Sequence, residues 1–234
     1  MYMGSGLYID PYYLMLVLPA LLLAMIAQWS VQSAVRKYSK IGNMEGMTGA
    51  DAARLILNKN GIYDVAVTNV SGNLTDHYDP SSKTVRLSEG VFASRSLAAV
   101  AIAAHETGHA IQHARGYKPL VLRTLCYPVA NIGSSFGMPM AIFGLMFSIP
   151  FLVQLGIILF SLAVLFYIIT LPVEINASTR AIACIREENI LAPEELGGAK
   201  KVLTAAAMTY VASAAVAIAN LLRLILLANN RRRD

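Results

Sequence analysis

Charge is scarce in this chain of 234 residues: 19 Lys and Arg with 14 Asp and Glu make up 14% of it, while 56% is hydrophobic. Ordinary globular domains carry about 25% charged residues. The shortage is uneven, because residues 11–35, 128–173 and 202–222, stretches of 25, 46 and 21 residues, contain no Asp, Glu, Lys or Arg. The other 142 residues carry charge at 23%, the density of soluble protein. A coiled coil and a disordered chain are excluded, and an integral membrane protein is expected. Cysteine is scarcer still. Cys126 and Cys184 form no C-x-x-C pair, which excludes a disulfide scaffold and predicts buried, reduced thiols. The net charge is +5, but the basic residues flank apolar runs, where membrane orientation accounts for them and no nucleic-acid partner is expected.

About 20 apolar residues cross the ~30 Å hydrocarbon core as a helix, so residues 11–35 and the segment 202–228 each fit one membrane-associated helix. The middle run is too long for one crossing and should fold as a hairpin over 128–173, turning at Ser148-Ile149-Pro150. The first span lacks a basic leader and an A-x-A site and carries Pro19, so it reads as an uncleaved anchor. Arg36, Lys37 and Lys40 follow it directly, which predicts an external N-terminus and cytoplasmic polar segments at 36–127 and 174–201. The tail Arg231-Arg232-Arg233 conflicts with four full spans, leaving open whether the last segment, with Arg223 near its end, crosses completely.

The first polar segment reads as a small α+β unit. Thr48 caps a helix that stops at Gly61, and Val65-Ala66-Val67-Thr68-Asn69-Val70 alternates like a strand. Thr84-Val85-Arg86-Leu87 makes another strand, a candidate sheet edge for pairing with a peptide. Between them Asp76-His77-Tyr78-Asp79 reads equally well as a turn or as part of a site. From Ser94 or Ser96 a long Ala-rich helix runs to Gly116.

That helix contains His105-Glu106-Thr107-Gly108-His109, an H-E-x-x-H motif expected by chance roughly 0.002 times in a chain of this composition. Residues four apart share a helix face, so both imidazoles can reach one Zn²⁺, with Glu106 beside them as general base. Zinc lowers the pKa of water toward ~7 and polarises a carbonyl, the requirements for hydrolysing a peptide bond. A third protein ligand is needed. Position 115, where a metzincin would place a histidine, is Arg115. His113 is one turn further along the same face, too far round a straight helix to complete the site, and suits a supporting or substrate-side role. Glu174 is the better candidate, because the two spans of the hairpin return it to the face that holds His105 and His109.

The order of H-E-x-x-H, a transmembrane hairpin and E-x-x-A-[DS] resembles the integral-membrane gluzincins of the HtpX and CAAX prenyl protease type. More closely, Leu74-Thr75-Asp76-His77-Tyr78-Asp79-Pro80, Val85-Arg86-Leu87-Ser88, the stretch around His105 to His113, and Leu171-Pro172-Val173-Glu174 are similar to the bacterial YugP family of neutral zinc metallopeptidases. The likeness covers roughly residues 30–215. It implies a multi-pass protein of a bacterial cell membrane, zinc held by His105, His109 and Glu174, and Glu106 as catalytic base. Ser178 stands where the HtpX pattern has Asp, so any carboxylate orienting a ligand imidazole must come from elsewhere. His77, Tyr78, His113 and Arg180 are candidate donors to the oxyanion.

The expectation is therefore a mainly α membrane protein of about four spans carrying a small zincin-like α+β domain. It would act as a zinc endopeptidase on peptide or protein substrates, membrane proteins among them, near the cytoplasmic face. A non-catalytic scaffold or chaperone-associated factor with a structural metal site is the alternative. A zinc transporter is disfavoured by the absence of ionisable residues across 128–173. Oligomerisation is compatible with the sequence, and the natural substrate is not encoded in it.

Overall fold

The computed structural model describes residues 10–230. Among them, four helices are long and apolar enough to span a bilayer. The first is α1 (Leu18–Tyr38), entered through a π-helical stretch at Tyr13–Val17; the others are α5 (Lys118–Met146), α6 (Pro150–Glu187) and α7 (Leu196–Asn230). Their large apolar residues point outward, with Met25, Ile26, Phe136, Phe151 and Ile158 all exposed, as a lipid-facing surface requires. The protein is thus a mainly α membrane protein with a small α+β portion.

Two compact units divide the chain. The first comprises residues up to 26, 126–168 and from 211 onward. Its core joins Ala141, Phe160, Ala163, Val164, Ala217 and Leu224. Helices α5 and α6 meet there along Gly133, Gly137, Ala141 and Gly144, spaced three or four apart. A Cβ at Gly137 or Gly144 would lie 2.6 Å from a backbone nitrogen of α6, so small residues permit this approach. The turn falls at 147–149, one residue before the expected Ser148-Ile149-Pro150, because Pro150 opens α6; Ser148 has φ 57°.

Arg223 does not interrupt α7. Its Nε and Nη2 donate to Asp10 Oδ2 at 2.9 and 2.6 Å, neutralising the charge beside the start of the first helix. At 35 residues, α7 is one continuous helix about 52 Å long, more than a span needs. The tail Arg231-Arg232-Arg233 lies outside the described residues.

The second unit holds residues 27–125 and 169–210. Helix α2 (Gly49–Lys59) begins with a capping box: Thr48 Oγ1 accepts from the Asp51 amide at 3.1 Å, and Asp51 accepts from the Thr48 amide at 3.2 Å. Three strands follow, β1 (Ala66–Val70), β2 (His77–Asp79) and β3 (Thr84–Ser88), then the short α3 (Glu89–Phe92). The sheet order is β1-β3-β2, with β1 parallel and β2 antiparallel to β3.

Two readings of this region change. Strand β3 is central rather than an edge, because Val85 and Leu87 bury against the helices and its backbone pairs on both sides. The segment around His77 and Tyr78 is itself an edge strand, with β1 at the opposite edge. Asp76 anchors it by accepting from the Ser88 amide at 2.7 Å.

Helix α4 (Leu97–Ala114) carries the histidine motif through the centre of this unit. Ser96 caps it by accepting from the Ala99 amide at 3.2 Å, and it ends at Gly116, whose φ of +59° suits glycine. Its Ala-rich face packs with Ile56, Leu57, Val85, Leu87, Ile185 and Val202. Helix α6 does not stop where its apolar run stops at 173. Glu174, Asn176 and Arg180 all have side-chain partners, so polar residues continue the helix to Glu187, and Glu174 lies within it rather than at an entry.

Candidate metal centre and active site

The three residues singled out for the metal come together. Residues His105 and His109 stack edge to face with ring centroids 4.8 Å apart, as a four-residue spacing on α4 requires. Glu174 arrives from α6, its Oε2 lying 3.3 Å from His105 Nε2 and 3.5 Å from His109 Nε2. One ligand atom from each of the three lies within 4.8 Å of the others. Glu174 is 2% exposed, yet its Oε2 is a buried oxygen without a hydrogen-bond partner. An orphaned carboxylate oxygen facing two imidazole nitrogens is costly unless a cation occupies the space between them. The His₂Glu donor set suits Zn²⁺.

Close helix approach makes this geometry possible. Gly108 sits where α4 crosses α6, and a Cβ there would lie 2.6 Å from the Ala177 carbonyl oxygen. With glycine the two backbones approach near van der Waals contact, and the third ligand reaches across.

Neutral groups fix the imidazole orientations. Gln112, fully buried, donates from Nε2 to the Val173 carbonyl at 2.8 Å and to Asn176 Oδ1 at 3.0 Å. Its Oε1 is therefore an acceptor for His109 Nδ1 at 3.0 Å, which puts the proton on Nδ1 and the lone pair of Nε2 toward the metal position. Ser178 Oγ lies 3.1 Å from His105 Nδ1 and occupies the orienting role for which a carboxylate was sought. Burial disfavours a charged His109, but the Glu174 carboxylate 3.5 Å from its Nε2 and the neighbouring Glu106 carboxylate outweigh it and raise its pKa.

Two further residues adjoin Glu174 itself. Arg123 Nη1 lies 3.4 Å from Oε1, leaving Oε2 to the histidines, and the Tyr210 phenol faces the same carboxylate. Sequence reasoning singled out neither. Arg123 is the last charged residue before the run that starts at 128, and that position at the mouth of a span was the available signal. Tyr210 gives no signal of its own. Gln112 had one, standing three residues after His109 on the same helix face.

The expected oxyanion donors separate. The Tyr78 amide donates to Glu106 Oε2 at 3.1 Å, so β2 runs beside the H-E-x-x-H helix. The Tyr78 phenol pairs with His113 Nδ1 at 2.7 Å. Burial, then Asp64 and Asp79, raise the phenol's pKa and keep it protonated. His77, one residue earlier on the strand, is exposed and engages the Thr75 carbonyl at 2.7 Å and Arg86 at 3.4 Å. Arg180 is held by Asn176 at 2.7 Å and lies over the Tyr117 ring. Tyr78 and His113 therefore adjoin Glu106 through β2, Arg180 joins the Gln112 network behind His109 through Asn176, and the partners of His77 lie elsewhere.

Comparison with known proteins agrees with this chemistry. The family model described as "Putative neutral zinc metallopeptidase" matches residues 13–229. The chain is 48% identical over 220 residues to a protein named "Putative membrane protease YugP" from Bacillus subtilis (strain 168), a match covering 94% of this chain and 98% of that relative. No solved structure matches.

Proposed function

Because the chain belongs to the family of neutral zinc metallopeptidases, with zinc as its cofactor, we propose that it is an endopeptidase hydrolysing peptide segments close to the cytoplasmic membrane face. The observation that carries this reading is the buried, unpartnered Oε2 of Glu174 facing His105 and His109. Those three residues would hold the zinc, which when bound acidifies water and polarises the scissile carbonyl.

The remaining work falls to the chain's own groups. Glu106 takes the proton from the attacking water and returns it to the leaving amine; its carboxylate is aimed by the Tyr78 amide. Gln112 and Ser178 keep the imidazoles turned toward the metal position. The Tyr78 phenol and His113 supply hydrogen-bond donors for the developing oxyanion. An extended peptide would lie along edge strand β2, which borders Glu106. Its proximity to the membrane is supported by the helices that contribute Arg123, Glu174 and Tyr210, all of them candidate spans. The 11 Lys and Arg over 36–127 favour the cytoplasmic side.

Glu106→Gln tests the mechanism. The variant should bind one zinc per chain and lose about 10²- to 10⁴-fold in kcat on a peptide substrate. Proteolysis at the wild-type rate by zinc-loaded Glu106→Gln would show that Glu106 is not the base.

A further inference from the structure

A groove of about 630 Å³ runs between α1 and the first turns of α7. Its chemistry changes along its length, and it changes in the same direction on both walls. On α1 the order runs from Trp29 through Ser30 and Ser33 to Lys37. On α7 it runs from Met208 through Thr204 to Lys201 and Lys200. Each wall spans eight residues, about 12 Å of helix, between its apolar and cationic ends. The two helices run in opposite directions, so the matching gradients are a property of their pairing and not of either sequence alone. Lys37, Lys200 and Lys201 are all exposed, and no carboxylate lines the groove.

We infer that this groove binds one anionic phospholipid, its phosphate held by Lys37, Lys200 and Lys201 and its acyl chains laid along Ala205, Met208 and Trp29. A soluble anion would use the lysine end alone, and an apolar ligand would leave three lysines without a counter-charge. Only an amphiphile with a negative head and an apolar body fits both ends, and both walls belong to candidate membrane spans. Ser33 and Thr204 lie between the two ends, at the level where the glycerol ester oxygens would need donors. A basic recess between spans is a recognised setting for acidic headgroups.

The chain offers its own probe, since Trp29 is the single tryptophan and is 71% exposed on the groove wall. With the full-length protein in liposomes, Trp29 fluorescence is titrated with brominated phosphatidylglycerol or brominated phosphatidylcholine. The anionic lipid should quench at roughly a hundredfold lower mole fraction, from three engaged lysines at about fivefold each. Neutralising the groove in Lys37→Gln/Lys200→Gln/Lys201→Gln should bring the two curves together. The charge-matched control Lys40→Gln/Arg115→Gln/Lys118→Gln, outside the groove, should leave them apart. The single variant Lys200→Gln, expected to close part of the gap, serves if the triple variant does not fold. Equal quenching by both lipids in the wild type would overturn the inference. So would equal loss of preference in the control, or full relief of quenching by inorganic phosphate alone.

Discussion

Replacing Gly108 by alanine should loosen the metal centre although it puts a better helix former into a helix. Alanine gains about 1 kcal/mol over glycine in a helix interior. Against that, the new Cβ would stand 2.6 Å from the Ala177 carbonyl oxygen and 3.2 Å from its carbonyl carbon and Cα, all of them backbone atoms that cannot rotate away. A carbon and an oxygen in contact sit at roughly 3.3–3.6 Å, so α4 and α6 must part by about 0.7 Å or more. Overpacking of this kind costs about 1–3 kcal/mol, which meets or exceeds the propensity gain. The effect on the metal should be larger than that on stability. His105 and His109 stay with α4 while Glu174 leaves with α6, and metal–ligand distances tolerate only about ±0.2 Å. Zinc affinity should fall at least about tenfold, read by competition with a chromogenic chelator in detergent, with apo-protein melting as the companion measurement. A Gly108→Ala protein with wild-type zinc affinity and a raised melting temperature would refute the claim that this crossing sets the ligand geometry.

Arg123→Met should lower zinc affinity about 10- to 100-fold by releasing Glu174 Oε1, and Arg123→Lys should recover part of the loss, both by chelator competition. Tyr78→Phe removes the phenol but not the amide that holds Glu106, so kcat should fall about 10²- to 10³-fold with KM and zinc content unchanged; steady-state kinetics decide it. Asp51→Ala should destabilise the protein by about 1 kcal/mol through loss of the capping box. The hydrogen bond from Thr48 lowers the Asp51 pKa in the folded protein, so its contribution is complete above the unfolded value of ~3.9 and is lost as pH falls through the folded one. Melting curves of wild type and variant should therefore converge only in strong acid.

The spans were legible in the sequence because charge is excluded from hydrocarbon and leaves a mark of its own, and the H-E-x-x-H pair because a four-residue spacing maps directly onto one helix face. Glu174 was reachable by counting crossings. Two features were not legible. Which strand lies at the sheet edge depends on chain crossing: β3 follows β2 in sequence yet inserts between β1 and β2, and alternation along a strand cannot reveal that. The supports of Glu174 come from Arg123 on α5 and Tyr210 on α7, which lie 51 residues before it and 36 after it, so no spacing rule connects them. The apolar boundary at 173 also misplaced a helix end, because helices stop where backbone hydrogen bonding stops and not where hydropathy changes.

The Tyr78 amide that holds Glu106 has a consequence for how the protein tolerates mutation. Gln112, Ser178 and Arg123 act through their side chains, so a single codon change can withdraw any of them. The donor to Glu106 belongs to the main chain. Every residue at position 78 would supply it except proline, which has no N–H. The aim of Glu106 is thereby insulated from drift at position 78, while the phenol there can be gained or lost independently, so the contact that orients Glu106 and the proposed oxyanion contact share one residue without sharing a genetic fate.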